Sequence, residues 1–130
     1  MHQGSCLCGA VKLEVDVTHL PKADACHCTK CRKWTGHVGV GVEVPRDRVA
    51  IEGEDAIRWF ASSDKARRGF CGTCGTSLFF DPLDKVKHSW TGVYMGLFDG
   101  PTQTEIGLHM FVAEKGDYYE INDDAQQNEY

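Results

Sequence analysis

Between Ala10 and Val17 every second residue is aliphatic: Val11, Leu13, Val15 and Val17 alternate with Lys12, Glu14 and Asp16. A period of two sends successive side chains to opposite faces, so the segment predicts a strand with one buried and one wet side. His37–Val44 repeats the pattern with Val38, Val40, Val42 and Val44. Gly39 and Gly41 occupy its other face and leave room for something to approach the backbone. Val49–Glu52, Ile57–Ala61, Ser77–Phe80, Gly92–Met95, Leu108–Ala113 and Tyr118–Ile121 read as further strands. Turn-rich joints such as Gly53-Glu54-Asp55, Asp81-Pro82 and Asp99-Gly100-Pro101 separate them. Only Thr29–Trp34 predicts a helix, a short one stopped at Gly36. The expected architecture is mainly β: a single domain over residues 1–130, built from antiparallel sheets, with a polar tail from Asp123 to Tyr130 that frays.

Composition changes this picture little. A chain of 130 residues with 42% hydrophobic and 25% charged content can bury an ordinary core. Its apolar runs are too short for a membrane helix. The start Met1-His2-Gln3-Gly4 leads straight into a cysteine motif without a basic segment and apolar stretch, so no secretory leader is expected. That favours the cytoplasm, where seven cysteines stay as thiols or bind metal. An odd count also leaves one over from any disulfide framework. Net charge is −5, and the basic residues gather only in two small groups, Lys30-Arg32-Lys33 and Lys65-Arg67-Arg68. Both groups lie near cysteines and suit a local anion site better than a nucleic-acid footprint. Nothing in the chain signals an oligomeric state.

The cysteines fall into three motifs. Cys71-Gly72-Thr73-Cys74-Gly75 is a zinc knuckle by composition, with two sulfurs turned to one point and glycines that let backbone N–H groups approach the thiolates. Two thiolates do not complete a tetrahedron. Cys6 and Cys8, at i and i+2 of an extended segment, point to one side and supply the second pair. Cys6, Cys8, Cys71 and Cys74 then form a closed, structural four-sulfur site.

The remaining three stand apart in Cys26-His27-Cys28-Thr29-Lys30-Cys31. Cys28 and Cys31 share a face at a helix N-terminus, where the dipole favours thiolate, and Cys26 can swing to the same point. Three protein ligands and one exchangeable position is the usual form of a catalytic zinc site. Two alternatives stand beside it: a second closed site completed by His27, His37 or His109, and three reduced thiols without metal.

The segments GSCLCGAVKLEV, CHCTKCRKWTG, GFCGTCGTSLFF and LHMFVAEKGDYYEI resemble the glutathione-dependent formaldehyde-activating enzyme family, which includes the centromere protein V group. The resemblance runs from about residue 4 to 123, leaving 124–130 as tail. It implies a zinc-bearing β-tent similar to methionine sulfoxide reductase B and a Rab-associated exchange factor. It also implies one zinc on Cys6, Cys8, Cys71 and Cys74, and a second on Cys26, Cys28 and Cys31 that stays open to a thiol.

The activity it implies is a carbon–sulfur lyase run in the synthetic direction, condensing glutathione with formaldehyde to S-(hydroxymethyl)glutathione, a detoxification step. Free thiols are mostly protonated at neutral pH, and coordination to zinc would deprotonate one. Three thiolates make zinc a weaker acid than a histidine site does. Lys30, Arg32 and Lys33 are the cations expected to offset that charge and to hold the carboxylates of glutathione, against the plainer reading of a solvated helix face. Trp34 is expected to pack rather than flank a ligand, and Arg67 and Arg68 to be surface charges. His27 is expected to point away from the metal its neighbours share, and His109 is as well read as structural as catalytic. Two other classes compete with the enzyme: a zinc-stabilised binding module for a small thiol or protein, and a methionine sulfoxide reductase-like redox enzyme. The last requires a cysteine outside the metal sites, and none is spare.

Overall fold

The computed structural model describes residues 1–130. Its strands are β1 (His2–Ser5), β2 (Lys12–Val15), β3 (Ala23–Cys26), β4 (Gly39–Pro45), β5 (Val49–Glu52), β6 (Ile57–Ala61), β7 (Ala66–Cys71), β8 (Ser77–Pro82), β9 (Trp90–Tyr94), β10 (Ile106–Met110) and β11 (Gln126–Gln127). The α-helix, α1, runs over Thr29–Thr35 between β3 and β4. A small sheet has the order β1-β2-β5, and a large one β11-β10-β3-β4-β9-β8-β7-β6. The class is mainly β, as the alternation predicted.

The two sheets meet through their apolar sides. Val11, Leu13 and Val15 from around β2 join Val42, Val44, Leu78, Phe79 and Val93 of the large sheet in one core. The polar partners of the alternation, Lys12 and Glu14, stay outside it. At the joint between β5 and β6, Gly53 has φ +85° and a Cβ there would lie 1.9 Å from the Ala10 carbonyl oxygen, so only glycine passes.

The register of the large sheet decides what its second face carries. Residues directly opposite one another point the same way. Cys26 pairs with Gly39, and Asp24 with Gly41. Gly41 pairs in turn with Tyr94, and Glu43 with Gly92. Gly92 faces Phe80, and Phe80 faces Arg68. One side of β4 is therefore core valine, and the other is a floor of backbone between polar and aromatic walls.

Several expectations need correction. The sheets are not all antiparallel, because β10 runs parallel to both β3 and β11. The tail does not fray: β11 pairs with β10, and Asn128 N–H donates to the His109 carbonyl at 2.8 Å. Unpaired backbone along β10 offers partners that a polar segment can use without any apolar side chain. Tyr118–Ile121 is not a strand but a turn and loop. The strand expected over Leu108–Ala113 ends at Met110, because Phe111 turns to φ +54° and a 3-10 turn follows over Val112–Glu114.

Candidate metal centres and an adjoining cavity

The sulfurs of Cys6, Cys8, Cys71 and Cys74 lie within 4.8 Å of one another, and so do those of Cys26, Cys28 and Cys31. Two elements converge to make the first group. The turn after β1 carries Cys6 and Cys8, and it meets the end of β7 at Cys71 and the turn that follows with Cys74. Cys6 and Cys8 sulfurs are 3.6 Å apart and Cys8 and Cys71 sulfurs 3.8 Å apart. A tetrahedron with metal–sulfur bonds of about 2.3 Å has edges of about 3.8 Å. These two spacings suit thiolates around a zinc ion and are far from a disulfide. Val11 N–H donates to the Cys6 sulfur at 3.3 Å. The hydroxyl and backbone N–H of Thr76 push the Cys74 thiol down to about 5. The N–H groups of the knuckle glycines themselves bond carbonyls. Gly72 N–H donates to the Ala56 carbonyl and Gly75 N–H to the Cys71 carbonyl, both at 2.8 Å. Their function is to shape the turn, with Gly75 at φ +81°.

The triplet is assembled locally. Cys26 ends β3, Cys28 is the N-cap of α1 and accepts from Cys31 N–H at 3.3 Å, and Gly36 closes the helix in the left-handed region. The neighbouring thiols of Cys26 and Cys31 push the Cys28 thiol down to about 2, while Cys28 and Cys31 push Cys26 upward. The donor set and spacing suit zinc as the first group does.

No histidine joins the three sulfurs. His37 instead bonds Tyr118. His27 and His109, 2% and 4% exposed, form a chain of their own behind the triplet. His109 Nε2 is 3.0 Å from both Asp123 oxygens. It donates there, so its Nδ1 accepts from His27 Nε2 at 2.8 Å, and His27 Nδ1 accepts from the Tyr119 hydroxyl at 2.5 Å. Burial first, then His109, lowers the His27 pKa, which agrees with a neutral ring. His27 points away from the sulfurs on either side of it, as strand alternation requires.

Arg68 is the residue that sequence reasoning misjudged. It is 3% exposed, and its Nη1 and Nη2 donate to the Cys31 sulfur at 3.4 and 3.5 Å. Nη1 also donates to the Tyr94 hydroxyl at 3.3 Å. Burial opposes the guanidinium charge, but the Cys31 sulfur outweighs it and holds the arginine pKa above normal. Burial, then the charge on Cys31, raises Tyr94 to about 12. Arg67 points the other way and bonds Asp81 at 2.8 Å, where Arg46 also binds. Two adjacent arginines on a strand must face opposite sides, so the pair itself signalled that one lies inward. That signal required seeing β7, whose apolar pattern is too broken to read.

Cys26, Cys28 and Cys31 open onto a cavity of about 400 Å³. Gly39, Gly41 and Gly92 form its floor, and Phe80, Trp90, Tyr94 and Phe111 its walls. Of the three expected cations, Lys30 lines it. Arg32 and Lys33 occupy the last turn of α1, where they complement the helix dipole. Trp34 packs against Phe60 and Phe70, with ring centroids 6.2 and 5.6 Å away. Asp24 and Glu43 also line the cavity, and neither belongs to any ion pair of the chain. Burial, then Asp24, raises the Glu43 carboxyl above its usual range.

Fold and sites together define a mainly β protein with two cysteine centres able to hold metal, one closed and one facing a cavity. The chain belongs to the glutathione-dependent formaldehyde-activating enzyme family, whose model matches residues 1–114. It is 29% identical to an uncharacterized lyase of Schizosaccharomyces pombe, over 92% of this chain and 85% of that one. It is 26% identical to a Halomonas elongata protein that carries the glutathione-dependent formaldehyde-activating name provisionally, over 95% of this chain and 83% of that one. A crystal structure of a Rhodobacter sphaeroides protein superposes with a TM-score of 0.63 at 21% identity, covering 80% of this chain and 98% of its own, which supports the fold. Family and relatives point to an enzyme of the lyase type acting on thiol and aldehyde chemistry. No helix is long and apolar enough to cross a membrane.

Proposed function

We propose that this chain is a zinc-dependent carbon–sulfur lyase-type enzyme that joins a thiol, glutathione or a relative, to formaldehyde or another aldehyde. The observation that carries the reading is the triplet: three sulfurs at metal-binding distance, no fourth side-chain ligand, and a cavity in front of them. Cys26, Cys28 and Cys31 would hold zinc, which when bound would supply Lewis acidity able to keep an arriving thiol deprotonated at neutral pH. The closed group of Cys6, Cys8, Cys71 and Cys74 would hold a second zinc that acts on the fold alone.

The chain's own residues supply the rest. Arg68 places a fixed positive charge against the Cys31 sulfur and offsets the negative charge of three thiolates in a site shielded from water. Because Arg68 donates to the Tyr94 oxygen, the Tyr94 proton is free to be given to the cavity. In the addition, a sulfur–carbon bond forms, the carbonyl π pair moves to oxygen, and oxygen takes a proton. Tyr94, with its pKa near 12, is the donor. The thiol's original proton leaves to solvent and returns to Tyr94 afterwards. Lys30 at the cavity edge steers an anionic thiol inward. Seven cysteines in two clusters, none bridged, favour a reducing compartment, and this reading places the enzyme in the cytoplasm.

Formaldehyde adds to thiols without help, so the test compares exchange rates. Magnetization-transfer NMR would follow formaldehyde exchange with glutathione and with small thiols, using zinc-loaded wild type, Cys28→Ser and no protein. Acceleration by wild type alone is the expected result. Rates equal to buffer for every thiol tried would leave no place for catalysis.

A further inference from the structure

We infer that the thiol this chain takes carries an ammonium group on an apolar or aromatic body, without the two carboxylates that glutathione has beside its own ammonium. The inference rests on the proposed reading of the triplet as the place where substrate sulfur binds.

The cavity fixes the orientation of any such ligand. Its sulfur end is at Cys26, Cys28 and Cys31, and the floor runs away from them along β4 from Gly39 to Glu43. With about 3.3 Å per strand residue, Asp24 stands about 7 Å from Cys26 and Glu43 about 13 Å along the floor. The far half is therefore acidic. It is also aromatic: Phe80 and Trp90 stack with centroids 6.2 Å apart beside Glu43, which pairs with Gly92 on the sheet.

Charge complementarity selects the occupant. Arg68 is committed to Cys31 and Tyr94, and Arg32 and Lys33 do not line the cavity. Glutathione brings two carboxylates beside its one ammonium; Lys30 is left as the one available cation for those carboxylates, while Asp24 and Glu43 repel them. Asp24 is half-buried and Glu43 exposed, and two like charges without partners there disfavour an anion. An ammonium meets the reverse situation, with two unpaired carboxylates and two aromatic faces that attract a cation. The glycine floor and the ring walls take the carbon body between the two ends.

Calorimetry on zinc-loaded protein would compare glutathione with three benzenethiols bearing aminomethyl, methyl or carboxymethyl groups opposite the sulfur. The expected order is aminomethyl first, at least tenfold tighter than carboxymethyl and tighter than glutathione. Glu43→Gln and Asp24→Asn together should bring the aminomethyl-to-carboxymethyl ratio below about threefold, because neutral amides neither attract nor repel strongly. Equal binding of the two substituted thiols, tighter binding of glutathione, or a ratio that survives in the double variant would overturn the inference. The exchange rates separate it from the catalytic reading. Preference without acceleration upholds the ligand class and removes the catalysis. Acceleration that is fastest with glutathione upholds the catalysis and removes the ligand class. Failure of all four thiols to bind removes both.

Discussion

The two cysteine centres use the same ligand type and differ in everything around it. The closed one draws its pairs from positions at least 63 residues apart, the separation of Cys8 and Cys71. It buries two of its sulfurs, Cys6 and Cys71, in the core itself. Its sulfurs receive hydrogen bonds from Val11 and Thr76 but no cation. The triplet comes from one short loop and helix cap, and its support arrives from outside: Arg68 on Cys31, the His27 chain behind, the cavity in front. A staple gains by joining distant segments, since each closure removes freedom from the unfolded chain. A centre with the proposed role gains by being local and by leaving one corner to a ligand, so its charge has to be balanced by neighbours.

The largest expected effect follows from the closed centre. Structural zinc in small domains binds with about 10–16 kcal/mol of folding free energy, against a total stability of about 5–15 kcal/mol. Cys71→Ser should therefore abolish cooperative thermal unfolding, read by circular dichroism, and chelation of the wild type should do the same. A Cys71→Ser protein that melts cooperatively near the wild-type temperature would mean that this centre is not the staple.

At the triplet, Cys28→Ser should behave in the opposite way. Serine is a good N-cap and can still accept from Cys31 N–H, so α1 persists. One zinc per chain should remain by mass spectrometry under native conditions, with the melting temperature within about 5 °C of wild type. Formaldehyde–thiol exchange should return to the buffer rate. Misfolding as severe as in Cys71→Ser would make both centres structural.

Arg68→Met sharpens the contrast by removing charge balance without touching a ligand. Outer partners of metal ligands typically contribute about 10–100-fold in affinity. A competing dye should report a loss of that size at the triplet and none at the closed group, with Arg68→Lys recovering part of it. Equal weakening of both would assign Arg68 to the fold alone.

What the sequence revealed, and what it hid, follows the same division. The partition of seven cysteines was legible because i, i+2 and i, i+3 spacings fix which sulfurs can share a point before any tertiary fold is known. The alternation marking β2 and β4 was equally local, and so was the cavity-facing side of β4 at Gly39 and Gly41. Strand β3 was invisible because Ala23–Cys26 offers small and polar residues where a buried strand usually shows branched ones. The supports of the triplet were hidden for a different reason. Arg68, His109, Tyr119 and Asp123 reach it only through sheet register and a docked tail, and a tail rich in Asp, Asn and Gln looks solvated until an edge is present to receive it.

The smallest predicted effect tests whether those hidden supports belong to one centre. The Tyr119 hydroxyl donates to His27 Nδ1, and His27 sits between Cys26 and Cys28, so the bond fixes the backbone that aims two sulfurs. Tyr119→Phe keeps the ring and its stacking on His27, with centroids 5.6 Å apart, and removes only the donor. Losing one buried hydrogen bond costs about 1 kcal/mol. The melting temperature should fall by about 3–5 °C, and triplet zinc affinity should fall by less than the Arg68→Met loss, because no charge is uncovered. The discriminating measurement is amide hydrogen exchange. Protection should drop at His27 N–H, which bonds the Met110 carbonyl at 3.0 Å, and stay unchanged at Cys71 N–H, which bonds the Thr76 carbonyl at 2.9 Å. If both amides lose protection together, the centres are coupled through the core and the division between staple and working site fails.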